Sequence, residues 1–445
     1  MSALRYRQIF SFYWPLVLTS QMMTLAQPII NAALGRGEGA IIQLAGYAVG
    51  FGLGVFLNSA LFPFQQAVAA LGTGPAARRD LTLRILLLGG VICLVDLGLG
   101  LWPGSDQLIM TLMGSTPPVA DLARKILLVQ APLPLLLPLR SLAWGIIMRN
   151  RATRVISMAT GLRLAVLTAV VFVTVGHGRL QPAVAGGVAM TVAILVETIF
   201  SGFLALRLVR RDAAGVNEGG SERVNWRSFF AFMGPMIVST VTWSAMRPLL
   251  NAVVGRTADP DLAQGGFGFV FPLLILMSSP LWSLNNTALV LIKDRFDLRK
   301  VARFSAASIA FFMALIGIWV WTPLRDVLLL RVFALEPDKA LYVTTAVILI
   351  PYQALPLGLR SLTQGFLMNR RRTGVVATAS MIKTVLMVGL GFFAVMRNPG
   401  LNGALLGTLL VMFGGTVATG ILAWRARRLH HQLILSHDSG RGTMG

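Results

Sequence analysis

Residues 139–153, LRSLAWGIIMRNRAT, have an ungapped counterpart 220 positions later in residues 359–373, LRSLTQGFLMNRRRT. An internal repeat of this length is the signature of a duplicated architecture. The sequence therefore predicts two halves of similar fold. The same shift aligns further positions along most of the chain, among them Pro15 with Pro235, Pro28 with Pro248, Asn31 with Asn251, Gly35 with Gly255, Arg140 with Arg360 and Gly145 with Gly365.

The composition indicates a membrane protein. Of the 445 residues, 55% are hydrophobic and only 13% are charged, which is too apolar for a soluble domain of ordinary usage. The formal net charge of +22 would suit nucleic acid, but the basic residues fall in short runs between apolar segments and form no continuous surface. We therefore expect the chain to contact a lipid bilayer and no nucleic acid.

Twelve apolar segments are long enough to cross a bilayer, which takes about 20 residues of helix. Their approximate limits are 9–34, 41–71, 81–102, 122–148, 155–176 and 183–206 in the first half, and 228–254, 264–292, 302–323, 340–368, 374–396 and 401–424 in the second. Each repeat holds six spans, so both begin on the same side of the membrane and are related by an axis along its normal. The predicted fold is an all-α polytopic membrane protein with two parallel six-helix lobes.

Lysine and arginine collect in one set of loops, which the positive-inside rule places in the cytoplasm. That side holds about 24 basic residues and the other fewer than about ten. We expect both termini to be cytoplasmic and the chain to lie in the inner, cytoplasmic membrane as a monomer. The predicted division is an N-lobe with helices 1–6 (residues 1–208), a cytoplasmic linker (209–227), a C-lobe with helices 7–12 (228–428) and a disordered cytoplasmic tail (429–445).

Five cations interrupt the apolar segments, where an ionisable group costs several kcal/mol unless it is paired or hydrated. Arg140 and Arg163 each lie nine residues from a basic helix end, hence roughly 13 Å deep at about 1.5 Å per residue. The repeat places Arg360 and Lys383 at a similar depth, and Arg247 is nearer the outer face. Four of the five cations are therefore expected near one level of the membrane.

Inside the predicted segments only Asp96 and Glu197 oppose these cations. An excess of buried cation is most easily stabilised by a hydrated cavity that receives anions, and arginine presents a planar donor fork suited to carboxylate or phosphate. The alternative is that the side chains extend to the headgroups or donate to helix carbonyls freed by proline. The predicted substrate-binding residues are Arg247, Arg360, Arg140, Lys383 and Arg163.

Several other polar residues are candidates for the transport path. Glu197 is placed to carry a coupling proton or to pair with Arg140 or Arg163 in a salt bridge. Asp96 has Ile316 as its repeat mate and serves either coupling or a local polar contact. The predicted pore-lining or gate residues, which alternatively bind neighbouring helices by hydrogen bonds, are Asn31, Asn251, Gln27, Gln65 and Asn285.

Metal and cofactor chemistry are not indicated. Cys93 is the only cysteine, and the four histidines lie in a loop and in the tail without helical metal-ligand spacing. No constellation of carboxylate, histidine and serine at one interface suggests a membrane enzyme. We expect no cofactor, no metal and no catalytic residues.

Three stretches resemble a known family. Residues 229–256, FFAFMGPMIVSTVTWSAMRPLLNAVVGR, and 359–393, LRSLTQGFLMNRRRTGVVATASMIKTVLMVGLGFF, look like helices 7 and 10 to 11 of the progressive ankylosis protein family. Residues 12–37, FYWPLVLTSQMMTLAQPIINAALGRG, are similar to its first helix. That family belongs to the superfamily of the MATE multidrug transporters and lipid-linked oligosaccharide flippases, whose two six-helix lobes match the duplication.

The resemblance implies secondary transport by alternating access, with export of anionic metabolites such as citrate, pyrophosphate and nucleotides including ATP. The sequence departs from the family at Gln27, where an acidic residue is expected, and in lacking a long acidic tail. The positions where this chain and the family look alike are Arg247, Pro248, Asn251, Arg360, Gly365 and Lys383.

Two other transport functions compete with anion export. A MATE-like antiporter of cationic drugs needs carboxylates in its cavity, yet the predicted helices 1, 2, 7 and 8 contain none. A flippase for an anionic lipid-linked saccharide would also use cavity arginines and would differ by a lateral opening to lipid. The sequence does not separate the flippase from the exporter of small anions.

Overall fold

The computed structural model describes residues 4–71, 75–149, 153–213, 224–292, 294–370 and 372–439, and all the regular elements in these ranges are helical. The first half contains α1 (Tyr6–Thr24), α2 (Ala26–Leu34), α3 (Ala40–Asn58), α4 (Phe64–Leu71), α5 (Pro75–Leu101), α6 (Ser105–Met113), α7 (Pro117–Gln130), α8 (Leu133–Arg149), α9 (Thr153–Gly176) and α10 (Pro182–Ala213). The second half contains α11 (Trp226–Val254), α12 (Pro260–Ser278), α13 (Ser283–Leu291), α14 (Arg295–Trp321), α15 (Leu324–Asp326), α16 (Pro337–Val347), α17 (Ala354–Asn369), α18 (Thr373–Arg397) and α19 (Gly403–Ser439). The predicted all-α class is confirmed.

The two halves repeat each other helix by helix at the offset found in the sequence. Adding 220 to the outer bounds of the α1–α2 pair gives the bounds of α11, and the same addition converts α3 into α12 and α5 into α14. Even the short 3₁₀ turn after α3, Ser59–Leu61, has its counterpart after α12 in Ser279–Trp282. The predicted pair of parallel six-helix repeats is therefore confirmed.

The number of apolar spans agrees closely with the prediction. Ten helical segments of the described residues are long and apolar enough to cross a membrane, and the pair Pro117–Gln130 and Leu133–Ile147, bent by 45°, brings the number to eleven. The twelfth predicted segment, 9–34, is formed by α1 and α2 and is not among the eleven. It carries Gln21, Thr24 and Gln27 in its middle, which lowers its hydropathy.

Two predicted boundaries differ from the structure. Helix α10 continues to Ala213 and α11 begins at Trp226, so residues 209–213 and 226–227 of the predicted linker 209–227 are helical. Residues 214–223 lie outside the described residues. Helix α19 continues to Ser439, within the segment 429–445 for which the sequence predicts a disordered tail, and residues 440–445 lie outside the described residues. The segment RRLHHQLILSHD (427–438) contains neither glycine nor proline, and its arginine and leucine residues favour helix.

The two lobes exchange the beginnings of their first helices. We call the end of the bundle at Tyr6 and Trp226 the terminal side and the opposite end, at Leu34 and Val254, the distal side. On the terminal side, the Tyr13 hydroxyl of α1 donates to the Pro280 carbonyl of the C-lobe at 3.1 Å.

The packing of buried apolar residues shows the same exchange on both sides. Ile9 of α1 clusters with Ala288, Val301 and Phe366 of the C-lobe. In the mirrored arrangement, buried residues of α11 join an apolar cluster with the N-lobe, namely Phe229 and Met233 with Leu61, Phe64 and Leu81. The sequence division into 1–208 and 228–428 therefore does not describe the packing of α1 and α11, which tie the lobes together.

Candidate functional site

Two adjoining cavities lie in the middle of the bundle. The N-chamber, of about 370 Å³, is lined by Arg140, Arg163 and Arg247 among others. The C-chamber, of about 320 Å³, is lined by Arg360 and Lys383 among others. The five predicted substrate-binding cations thus line one chamber or the other. Four residues line both chambers and so form the wall between them: Trp243, Met246, Ile275 and Trp282.

Arg247 lies on the axis that relates the two lobes. Its Nη1 donates to the Gln27 Oε1 at 3.0 Å, and Gln27 is its own repeat mate. The guanidinium stands between the rings of Phe51 and Phe271, at 5.1 and 5.7 Å from their centroids, and these two are repeat mates as well. The pairs Gln27/Arg247 and Phe51/Phe271 are each related by the repeat, and residues so related come into contact only where they lie at the axis.

The environment of Arg247 holds the cation without neutralising it. Each aromatic face contributes roughly 0.5–2 kcal/mol by cation–π attraction. The Nη2 atom is buried and has no hydrogen-bond partner among the described residues. Arg247 is therefore held at the axis with donor capacity left for a ligand in the N-chamber.

Glu197 is shared by the two arginines of the N-lobe. Its Oε2 accepts from the Arg140 Nη1 at 3.0 Å and lies 3.6 Å from the Arg163 Nη1, and the carboxylate is fully buried. The Arg140 guanidinium also lies over the Trp144 ring, 5.0 Å from its centroid, and the Trp144 Nε1 donates to the Ser201 Oγ. One carboxylate and one aromatic face thus stabilise Arg140 and Arg163, the N-lobe pair. With Glu197, the pair has a net charge of +1.

Arg360 and Lys383 have no such carboxylate. Lys383 is 7% exposed, and neither cation forms an ion pair with any residue that the structure describes. Position 417, the repeat mate of Glu197, is Val417. The Arg360 and Lys383 pair therefore carries two positive charges, whereas the Arg140 and Arg163 pair, with Glu197, carries one.

The predicted gate residues Asn31 and Asn251 join the two lobes by hydrogen bonds on the distal side, and we call these contacts the distal seal. The Asn31 Nδ2 donates to the Gly268 carbonyl at 3.3 Å, and the Asn251 Nδ2 donates to the Ala48 carbonyl at 3.1 Å. Residues 48 and 268 are themselves repeat mates, so each lobe caps the equivalent turn of the other. A hydrogen bond to a carbonyl inside the bundle is worth about 0.6–2 kcal/mol.

Two glycines make this distal seal tight. A Cβ on Gly35 would lie 2.0 Å from the Phe333 carbonyl oxygen, and a Cβ on Gly255 would lie 2.0 Å from the Met113 carbonyl oxygen. Residues 113 and 333 are again related by the repeat. Backbone contacts this close across the lobes leave no room for a larger residue at either position.

The other predicted polar residues take different positions. Gln27 lines the N-chamber and Asn285 lines the C-chamber. Gln65 is half-buried in α4, and its main-chain carbonyl oxygen lies close to Gly145 of α8. Asp96 is 1% exposed, lies beside Asn58, and pairs with no described cation, so the structure gives it no salt bridge.

Sequence reasoning missed several residues of the site. Phe51 and Phe271, which hold Arg247, sit at equivalent repeat positions in apolar segments and were available from the duplication. Gln264 was overlooked as well, although its buried amide joins the lobes by donating to the Met113 carbonyl at 2.8 Å and accepting from the Ser115 Oγ at 2.9 Å. Its repeat mate is Leu44, so the duplication gave no signal for it.

Comparison with known proteins identifies the fold. No family model matches the sequence. The structure is similar to an inward-facing multidrug resistance MATE family transporter of the MOP superfamily, with a TM-score of 0.69, 14% identity and coverage of 97% of this chain and 99% of that one. It is also similar to the lipid II flippase MurJ in an inward closed conformation, with a TM-score of 0.65, 13% identity and coverage of 93% and 87%.

An outward-facing MATE family transporter superposes less well. Its TM-score is 0.53 at 15% identity, over 96% of each chain. The chain therefore has the MATE fold.

Proposed function

We propose that this chain is a secondary transporter that moves small polyanions across a membrane by alternating access between its two lobes. The observation that carries the proposal is the charge of the central chambers, where five cations face one shared carboxylate. Arg140, Arg163, Arg247, Arg360 and Lys383 supply the positive charge, and Glu197 supplies the negative charge.

The charge balance favours an anionic ligand. Five cations and one carboxylate leave four positive charges in the middle of an apolar bundle, where unpaired ionisable groups cost several kcal/mol. A polyanion with three or four negative charges offsets that excess, and guanidinium groups bind carboxylate or phosphate in bidentate geometry. Chambers of about 370 and 320 Å³ fall within the usual range for small-molecule sites of about 300–1,000 Å³.

The direction of loading follows from the seal and the loop charges. The positive-inside rule favours a cytoplasmic location for the terminal side and both termini, and we take the Asn31 and Asn251 contacts to close the distal side. The chambers would then be loaded from the cytoplasm, which suits export through the inner membrane. Breaking the distal contacts while the terminal side closes would release the anion outside.

The resemblance to the progressive ankylosis family makes the substrate proposal more specific. Citrate, pyrophosphate and nucleotides such as ATP are the anions that this resemblance implies, and each carries several negative charges. Three of its matching residues, Arg247, Arg360 and Lys383, line the chambers, and a fourth, Asn251, is in the distal seal.

Of two alternative substrates, a cationic drug is disfavoured by the residues that line the chambers, and an anionic lipid-linked saccharide is supported by a structural similarity. A cationic drug would need acidic groups in contact with it, and the described residues that line the two chambers include no aspartate or glutamate. A flippase for an anionic lipid-linked saccharide is supported by the similarity to MurJ. It is therefore the second candidate.

The test is uptake into proteoliposomes of labelled citrate, pyrophosphate and ATP, beside a cationic dye and a fluorescent lipid-linked diphosphate. Saturable uptake of at least one soluble anion, without dye uptake, is the expected result. Dye transport alone would support a cation extruder, and scrambling of the lipid-linked diphosphate alone would support a flippase.

A further inference from the structure

The repeat allows the two chambers to be compared position by position, and the comparison shows that they are not equivalent. Arg140 and Arg163 of the N-lobe correspond to Arg360 and Lys383 of the C-lobe. Their surroundings differ at each position that covers or neutralises them. Glu197 becomes Val417, and Trp144 becomes Gln364.

The two N-lobe arginines are therefore already paired with side chains of the N-lobe itself. Glu197 bridges both arginines at 3.0 and 3.6 Å, and Trp144 stacks on one of them. An incoming anion would have to compete with a buried carboxylate that is held in place by two charge-assisted contacts. Displacing such a group leaves it buried and unpaired, which is strongly unfavourable.

The C-lobe pair is left open by the same substitutions. Val417 is at the carboxylate position and Gln364 is at the tryptophan position. Among the described residues, neither a carboxylate nor an aromatic ring lies against the Arg360 guanidinium as Glu197 and Trp144 lie against Arg140. Gly414 replaces Ile194, and a Cβ there would lie only 3.0 Å from the Lys383 Cγ, so the glycine gives the lysine its space. Each change leaves the two C-lobe cations more available to a ligand.

Two uncharged side-chain amides line the same chamber as this pair of cations. Gln353 and Asn285 line the C-chamber, and each has a buried amide oxygen with no hydrogen-bond partner among the described residues. The repeat mate of Gln353 is the apolar Leu133, so this amide is a feature of the C-lobe alone. Rotation of a side-chain amide exchanges its oxygen for an NH₂ group, which donates to an oxyanion.

We propose that the C-chamber is the primary oxyanion site, in which Arg360 and Lys383 hold one phosphate or carboxylate group of the substrate, and that Glu197 acts as a built-in counter-ion that keeps the N-chamber pair from serving as an equal site. This inference rests on the proposed function, since it assigns the anion to one half of the same cavity. The substrate's remaining charge then extends past the Trp243 and Trp282 wall toward Arg247 on the axis.

The repeat itself supplies the test. Val417→Glu installs in the C-lobe the carboxylate that the N-lobe already has, and Val417→Gln is the neutral control of the same size. Equilibrium binding of labelled citrate and of inorganic pyrophosphate is measured on the purified full chain in detergent. A polyprenyl diphosphate in mixed micelles distinguishes a lipid-linked source of the anion from a soluble one.

Val417→Glu is expected to weaken binding about tenfold or more, because the new carboxylate pairs with Arg360 and Lys383. Val417→Gln should change affinity by less than about threefold, and Glu197→Gln should not weaken binding. If Val417→Glu elutes as an aggregate, Lys383→Gln replaces it with the same expected loss.

Wild-type affinity in both Val417→Glu and Lys383→Gln would overturn the assignment while leaving anion transport intact. Loss of binding on Glu197→Gln would overturn it as well. Failure of the wild type to bind either soluble anion or the lipid-linked diphosphate would instead remove the proposed function, and the assignment with it.

Discussion

Removing Glu197 tests the energetics of the N-lobe cluster. In Glu197→Ala, Arg140 and Arg163 lose the carboxylate that now lies 3.0 and 3.6 Å away. Breaking a buried ion pair by deleting one partner costs about 3–5 kcal/mol. Because Arg140 keeps 17% of its side-chain surface accessible and can be hydrated from the chamber, we take the lower end, about 3 kcal/mol.

That loss converts into a modest shift of the melting temperature for a chain of this size. An unfolding entropy of about 2.1 cal/mol/K per residue gives about 0.9 kcal/mol/K for 445 residues. The midpoint should therefore fall by about 3 °C, measured by fluorescence-detected unfolding in detergent at one fixed scan rate. The control is Val417→Ala at the half-buried repeat mate, which should cost about 1 kcal/mol and about 1 °C.

A double variant separates charge from packing. In Arg163→Ala/Glu197→Ala the carboxylate and one of its two cations leave together, so part of the lost stability should return relative to Glu197→Ala. Equal midpoints for Glu197→Ala and Val417→Ala, or a double variant less stable by the full sum of the single losses, would refute the ion-pair reasoning.

Three further predictions concern the distal seal, the axis and the helix packing. Gly35→Ala or Gly255→Ala places a Cβ 2.0 Å from a carbonyl oxygen of the other lobe, so either substitution should open the distal side. Opening should raise maleimide labelling of an Ala32→Cys reporter. The control Gly202→Ala, whose Cβ would have nothing within 4 Å, should leave labelling unchanged. Gln27→Glu sets a carboxylate against Arg247, now 3.0 Å from the amide oxygen, and should lower anion uptake about tenfold, while Gln27→Leu keeps the cation and should lower it less. Gly365→Ala brings a Cβ to 2.3 Å from the Asn285 carbonyl oxygen and should destabilise the C-lobe by about 1–3 kcal/mol in detergent melting, with Gly389→Ala, where space is open, as the neutral control.

Most of the fold was predictable because the duplication and the apolar segments are both visible in the order of the residues. The offset between residues 139–153 and 359–373 also relates the bounds of the helices, so each element of one lobe supports its counterpart in the other. The exchange of α1 and α11 between the lobes was not predictable, because Ile9 and Phe229 look equally apolar whichever lobe they pack against.

The sequence showed which charged residues line the chambers but not how they are arranged in space. Buried cations are few, so counting them gave all five that line the chambers. The repeat marks Gln27 and Arg247 as equivalent but does not show that equivalent residues touch at the axis.

Initial rates of uptake into proteoliposomes for Arg247→Gln and Arg360→Gln, against Arg207→Gln, test the central claim most directly. Arg207 packs over the Phe203 ring on the outside of α10, so its change removes the same charge away from the chambers. The account predicts that the two chamber variants lose citrate or pyrophosphate uptake by about tenfold or more while Arg207→Gln transports like wild type. Equal uptake by all three variants would contradict it and assign the buried arginines a purely structural role.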